Sequence, residues 1–166
     1  TGPLLYTSFI GGGNNNKINN GTRCGVIGGH TNTIDGFENV IGGGNNNICH
    51  GEKNVINGGN SNTLNGNDNV INGGVNNICH GEKNVISGGL NNELIDGNES
   101  VILGGNGNTI NTPNSAQNGI ICSADSRLNG QEYTCLIAGG IRCEINNGSY
   151  HSVILGGDNN NMNGAR

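Results

Sequence analysis

Residues 46–56 read NNICHGEKNVI, and the same eleven letters return at 76–86. The Val-Ile pair that closes each string is the key to the chain. An apolar pair of this kind recurs ten times: Phe9-Ile10, Val26-Ile27, Val40-Ile41, Val55-Ile56, Val70-Ile71, Val85-Ile86, Val101-Ile102, Ile120-Ile121, Leu136-Ile137 and Val153-Ile154. Nearly every pair is followed, at once or after one residue, by Gly-Gly; Ser123-Ala124 is the exception. A second apolar column lies seven or eight residues further on: Ile18, Ile34, Ile48, Leu64, Ile78, Leu94, Ile110, Leu128, Ile145 and Met162. Fixed self-similarity of this sort marks a repeat architecture.

A period near 15 with two apolar landmarks predicts an all-β chain, a parallel β-solenoid of about ten ~15-residue coils. Each coil holds two short strands, because β-branched pairs suit strands, and the glycines supply the positive φ of the turns between them. At about 4.8 Å per coil the rod is about 48 Å long. Residues 1–8 read as an N-terminal lead-in and 9–166 as one repeat domain. It is irregular around 111–135, where a loop from Asn111 to Gly119 carries Pro113.

The 166 residues include 33 Gly and 36 Asn, with 31% hydrophobic and 3% aromatic residues. Such a composition by itself suits a disordered chain; two apolar columns held in register do not. No stretch approaches the ~18 apolar residues of a membrane helix. A net charge of −5 with 7 Lys+Arg argues against nucleic-acid partners. The Thr-Gly-Pro start, without Met, suggests a segment of a longer protein.

Asparagines form columns of their own. Asn39, Asn54, Asn69 and Asn84 precede the Val; Asn46, Asn62, Asn76 and Asn92 stand two residues before the second apolar column. Stacked amides that satisfy one another and the turn backbone explain both columns, as structural ladders rather than a ligand groove. Glu38, Lys53, Asp68, Lys83 and Glu99, two before the Val, alternate in sign, which suits neighbours one coil apart.

The two residues of each pair face opposite ways. If Ile41 fills the coil, Val40 points out. A thin coil buries little, so Val40, Val55, Val70, Val85 and Val101 are the expected subunit interface, with like chains packed along a common axis.

The strings NVIGGG, NVINGG, ESVILGG and HSVILGG resemble the head repeat of trimeric autotransporter adhesins, the YadA type, and related repeats in phage and large-virus fibres. The resemblance covers about residues 9–164. It implies a left-handed parallel β-roll, a homotrimer, and a structural or adhesive role. That role is a rigid spacer or host-attachment head in a surface-exposed fibre, on a virion or a cell, facing a host-surface or matrix receptor. Family heads carry Ala and Ser where this chain has Asn, and usually lack Cys.

Candidate chemistry is sparse. Six cysteines stand at 24, 49, 79, 122, 135 and 143. Cys49 and Cys79 lie two coils apart, too far for a disulfide; Cys135 and Cys143 replace Asn in the ladders. Cys49-His50 and Cys79-His80 suggest zinc ligands, but one chain offers only two per coil. Residues 104–110, GGNGNTI, resemble the calcium nonapeptide of RTX rolls, with Asn in place of the ligand Asp. Sequons begin at Asn20, Asn98 and Asn147, as chance allows in so Asn-rich a chain. The expectation is therefore a non-enzyme with no cofactor and no metal. The alternatives are a calcium-stabilised RTX-like binding roll and a glycan-cleaving fibre enzyme.

Overall fold

The computed structural model describes residues 7–113, 117–130, 134–146 and 150–164. Most of the expected lead-in and the start of the third sequon, Asn147, lie outside them. The described chain is all β. Ten strands from Phe9–Ile10 to Val153–Ile154 form one parallel sheet, and ten from Lys17–Thr22 to Asn161–Asn163 form a second. Successive strands of one sheet belong to successive coils, which defines a parallel β-solenoid of about nine turns. Val40 pairs with Val55 and Val55 with Val70. A third, narrow ladder of single bridges runs through His30, Asn45, Asn60, Val75 and Leu90. It widens to paired strands at Gly105–Asn106 and Ser123–Ala124.

Each coil is therefore three-sided, and its corners need left-handed residues. Gly44 has φ of +86°, and a Cβ there would collide with the Gly59 carbonyl of the next coil. At other corners the left-handed residue is not glycine: Asn46 has φ of 55° and Lys53 of 56°.

The interior is a single file of apolar side chains from two walls. Ile41, Ile56, Ile71 and Ile86 come from the first sheet, and Ile34, Cys49, Leu64, Cys79 and Leu94 from the second; all are fully buried. The second column thus departs from the sequence reading at two coils. Leu64 pairs with Cys49 on one side and Cys79 on the other, while Ile48 is 36% exposed. Cysteine packs as a small hydrophobe, so the thiols alternate with leucines inside and Ile48 and Ile78 take the outward position.

The first sheet departs similarly. Val26 pairs with Ile10 and Ile41, and Ile120 with Ile102 and Ile137; both point inward. Their outward neighbours are Gly25 and Gly119. The outward column is therefore not apolar in every coil, because glycine interrupts it twice.

Buried amides close two of the corners. Asn54 is fully buried. Its N–H donates to Asn39 Oδ1 at 2.9 Å, and its Nδ2 donates to the carbonyls of His50 at 2.9 Å and Gly66 at 2.7 Å. This amide thus ties three coils together. Asn69 and Asn84 continue the ladder. The other runs through Asn32, Asn47, Asn62, Asn77 and Asn92. Asn47 and Asn77, not Asn46 and Asn76, occupy it. The latter two are exposed turn residues with positive φ.

Candidate functional site

Strand alternation puts two columns on the outer face of the first sheet. One holds Val40, Val55, Val70, Val85 and Val101, all half-buried. The other stands two residues on in each coil and reads Ile27, Gly42, Asn57, Asn72, Ser87, Leu103, Ile121, Ala138 and Leu155. The face is apolar in patches at its early coils and almost wholly apolar from Val101 onward. There Leu103 is 41%, Val153 46% and Leu155 78% exposed. Ile27, near the other end, is 57% exposed. Monomeric surfaces rarely leave a long contiguous apolar strip uncovered.

One edge of this face is the charged corner. Glu38, Lys53, Asp68, Lys83 and Glu99 share one left-handed backbone position in successive coils, with φ of 51–56°. Arg23, with φ of 58°, precedes them in the same column and extends the alternation by one coil. Ion pairs form at both ends, Arg23 to Glu38 at 2.9 Å and Lys83 to Glu99 at 3.6 Å. The sequence signal for Arg23 is its place two residues before Gly25, masked because Val26 rather than Gly25 resembles the column residue.

A second charged group spans the corner between the third ladder and the second sheet, and the second sheet's outer face beside it. Arg142 Nη2 donates to both carboxylate oxygens of Asp158, at 2.9 and 3.1 Å, and its Nε donates to Asn159 Oδ1 at 2.9 Å. Arg127 lies 3.6 Å from Glu144. Arg127, Arg142, Glu144 and Asn159 line an open depression with Asp125 and Asn161. Arg127 and Glu144 line it as an ion pair, and Arg142 lines it while paired to Asp158 beside it.

The cysteine-histidine pairs do not converge. Cys49 and Cys79 point into the core, and burial pushes both thiols up to about 12. His50 and His80, the next residues, point outward, and Asn65 lies between them on the sheet. Among the described residues no three His, Cys, Asp or Glu side chains group as a metal site. Cys24, Cys135 and Cys143 sit at ladder corners: the Cys135 N–H donates to Asn118 Oδ1 and that of Cys143 to Ser126 Oγ. Cys122 alone of the six is exposed. In the GGNGNTI stretch, Asn108 is buried and donates through Nδ2 to the Ser123 carbonyl at 2.7 Å. Its amide is a ladder member.

No helix of the described residues is long and apolar enough to cross a membrane. The chain matches no family model and no curated protein.

Proposed function

We propose that this chain is a rigid structural and adhesive segment of a surface or virion fibre, built from three parallel copies of a left-handed roll. In that fibre it acts as a spacer or as an attachment head toward a host-surface or matrix receptor. The observation that carries the reading is the outward apolar strip of the first sheet. It runs along the rod beside a charged corner, and no other described part of the chain covers it. A ridge that repeats at the coil rise is matched best by a partner with the same rise, and a second copy of the chain has it. The burial of the ladder asparagines, each bonded to neighbouring coils, supports a structural role for the amides. The resemblance of the NVIGGG and HSVILGG strings supplies the number three and the hand.

The test is mass in solution. With a chain of 17.0 kDa, sedimentation equilibrium gives about three times that value at micromolar concentration. A rod that stays at the single-chain mass at all concentrations overturns the reading.

A further inference from the structure

The hydrogen bonds between coils have a direction. In coil after coil, two N–H groups donate forward to carbonyls of the next coil. The Asn14 N–H donates to Gly29 at 2.9 Å and that of Lys17 to Asn32 at 2.8 Å; near the other end, Ile141 donates to Gly157 at 2.9 Å and Glu144 to Asn160 at 2.8 Å. Solenoid coils contact only their neighbours, so the series stops at both ends of the described rod. The last coil leaves the N–H groups of Asp158 and Asn161 as donors, and the first leaves the carbonyls of Gly13 and Asn16 as acceptors. None of the four has a partner among the described residues.

The amide ladder ends in the same way. Asn16 Nδ2 donates forward to the Gly29 carbonyl at 3.0 Å, and Asn16 Oδ1 accepts the Asn32 N–H at 3.0 Å. Asn160, last of that column, donates within its own coil, to the Gly156 carbonyl at 2.8 Å, and has no coil beyond it among the described residues. The N–H of Asn16, first of the column, has no amide before it. The apolar file is open as well. Ile10 is exposed, and Ile18 and Met162 are half-buried, whereas Ile34 and Ile145, paired with the latter two, are fully buried. The two end coils share one spacing: Ile154, Gly157, Asn160 and Met162 repeat the intervals of Ile10, Gly13, Asn16 and Ile18.

We infer that the last coil of one rod receives the first coil of another, head to tail, as though the second rod supplied its next coil. The partner is a second copy of this chain, because its acceptors stand where the unused donors require them. Asp158 and Asn161 then donate to Gly13 and Asn16 of the next copy. Asn160 Nδ2 reaches the same Gly13 carbonyl, just as Asn14 and Asn16 share that of Gly29. The Asn16 N–H finds Asn160 Oδ1, and Ile154 and Met162 meet Ile10 and Ile18. Two first coils cannot join this way, since they bring carbonyl against carbonyl. A head-to-tail contact of this kind does not close on itself, so rods extend into a filament along one axis. Such joining lengthens the rod and needs no side-by-side association. One coil end is far smaller than a standard interface, so the joint is weak and forms at high concentration.

Two full-chain variants, purified separately, test this. Ile18→Asp puts a charge on the end of the first coil and Met162→Asp on the end of the last; each leaves the other end intact. A carboxylate buried in the joint without a partner should weaken joining at least about tenfold. Particle length is read by electron microscopy and small-angle scattering at high chain concentration. The parent should form particles several times the length of one rod, and each variant alone should stay at single length with the parent's circular dichroism. Ile18→Asn and Met162→Asn replace any Asp variant that loses that spectrum. An equimolar mixture of the two variants should give double length and nothing longer, because one intact last coil meets one intact first coil and both outer ends are blocked. A parent that stays at single length up to its solubility limit overturns the inference; that is the outcome if another segment of chain occupies either end. A variant that elongates alone also overturns it, as does a mixture of folded variants that stays at single length. Side-by-side association changes thickness and not length, so this test and the mass measurement fail independently.

Discussion

The main-chain N–H of Asn54 donates to the side-chain oxygen of Asn39, one coil earlier, at 2.9 Å. Parallel strands account for the main-chain groups along the sheets, but at each corner the chain turns and leaves an N–H and a carbonyl facing the interior. The amide has one acceptor and two donor hydrogens, which matches that deficit. The corner therefore repeats asparagine from coil to coil.

Asn54→Ala tests the ladder directly. It strands the Asn69 N–H, which donates to Asn54 Oδ1 at 2.9 Å, and the carbonyls of Gly66 and His50. A buried polar group left without its partner costs about 1–3 kcal/mol. Denaturant unfolding should show a loss of about 2–4 kcal/mol for this single substitution. A change within about 0.5 kcal/mol would mean that these amides are ornaments on a fold held by its apolar file.

Asn46 and Asn47 should respond very differently to glycine. Asn46 is exposed with φ of 55°, a conformation glycine adopts freely. Asn46→Gly should leave the unfolding midpoint nearly unchanged. Asn47→Gly removes the acceptor of the Asn62 N–H and the donors to Gly43 and Gly59, and should lower the midpoint strongly. Equal effects at the two positions would contradict the observed ladder.

That pair also shows where the sequence is readable. The period, the parallel stacking, the inward Ile of each regular pair and the ladder through Asn39 to Asn84 all follow from columns that admit one alignment. The run Asn45-Asn46-Asn47-Ile48-Cys49 admits two, because it offers an amide at either parity and an apolar residue after each. Ile is the more hydrophobic candidate, so residue-by-residue ranking puts Ile48 inside. The register with Leu64 puts Cys49 there. Gly25-Val26-Ile27 and Gly119-Ile120-Ile121 carry the same one-residue ambiguity, and a one-residue slip flips every side chain. Only the strand pairing, with Gly25 against Val40, resolves it.

The charged corner should be sensitive to sign and to salt. Lys53→Glu places three acids in successive coils, at 38, 53 and 68. Like charges directly opposite one another destabilise by about 0.2–1 kcal/mol. The loss should appear in low salt and shrink at 1 M salt, where the screening length falls to about 3 Å. Identical stability of mutant and parent in low salt would break the alignment of this column.

The thiols should separate into one fast class and one slow class. Cys122 is exposed and the other five cysteines are buried. A thiol reagent should therefore modify one cysteine per native chain and the rest only on unfolding. The same burial predicts a pH dependence. Cys49 and Cys79 ionise near 9.0 when unfolded and near 12 in the fold. The unfolded chain thus releases protons first as pH rises, and stability is complete below pH 9 and declines from there toward pH 12. Replacing both by Val should flatten that decline. A decline unchanged in the double mutant would assign it to other groups.

The assembly face carries the last expectation. Val55 and Val70 stand in adjacent regular coils, paired with each other across the sheet and pointing outward. Changing both to Asp leaves the file of Ile56 and Ile71 behind them intact, so the coil keeps its interior. Between copies, however, the carboxylates would be buried without a partner of opposite charge, and an uncompensated buried charge costs about 3–5 kcal/mol. Light scattering should show the double mutant at the single-chain mass, either folded or, where assembly supplies the missing stability, unfolded. Thr63 and Ile78 provide the control. They face outward from the second sheet, in coils of the same regular part of the rod. Changing both to Asp there should leave the mass unchanged. If the two double mutants behave alike, the Val strip is an ordinary solvent face and the rod does not assemble through it.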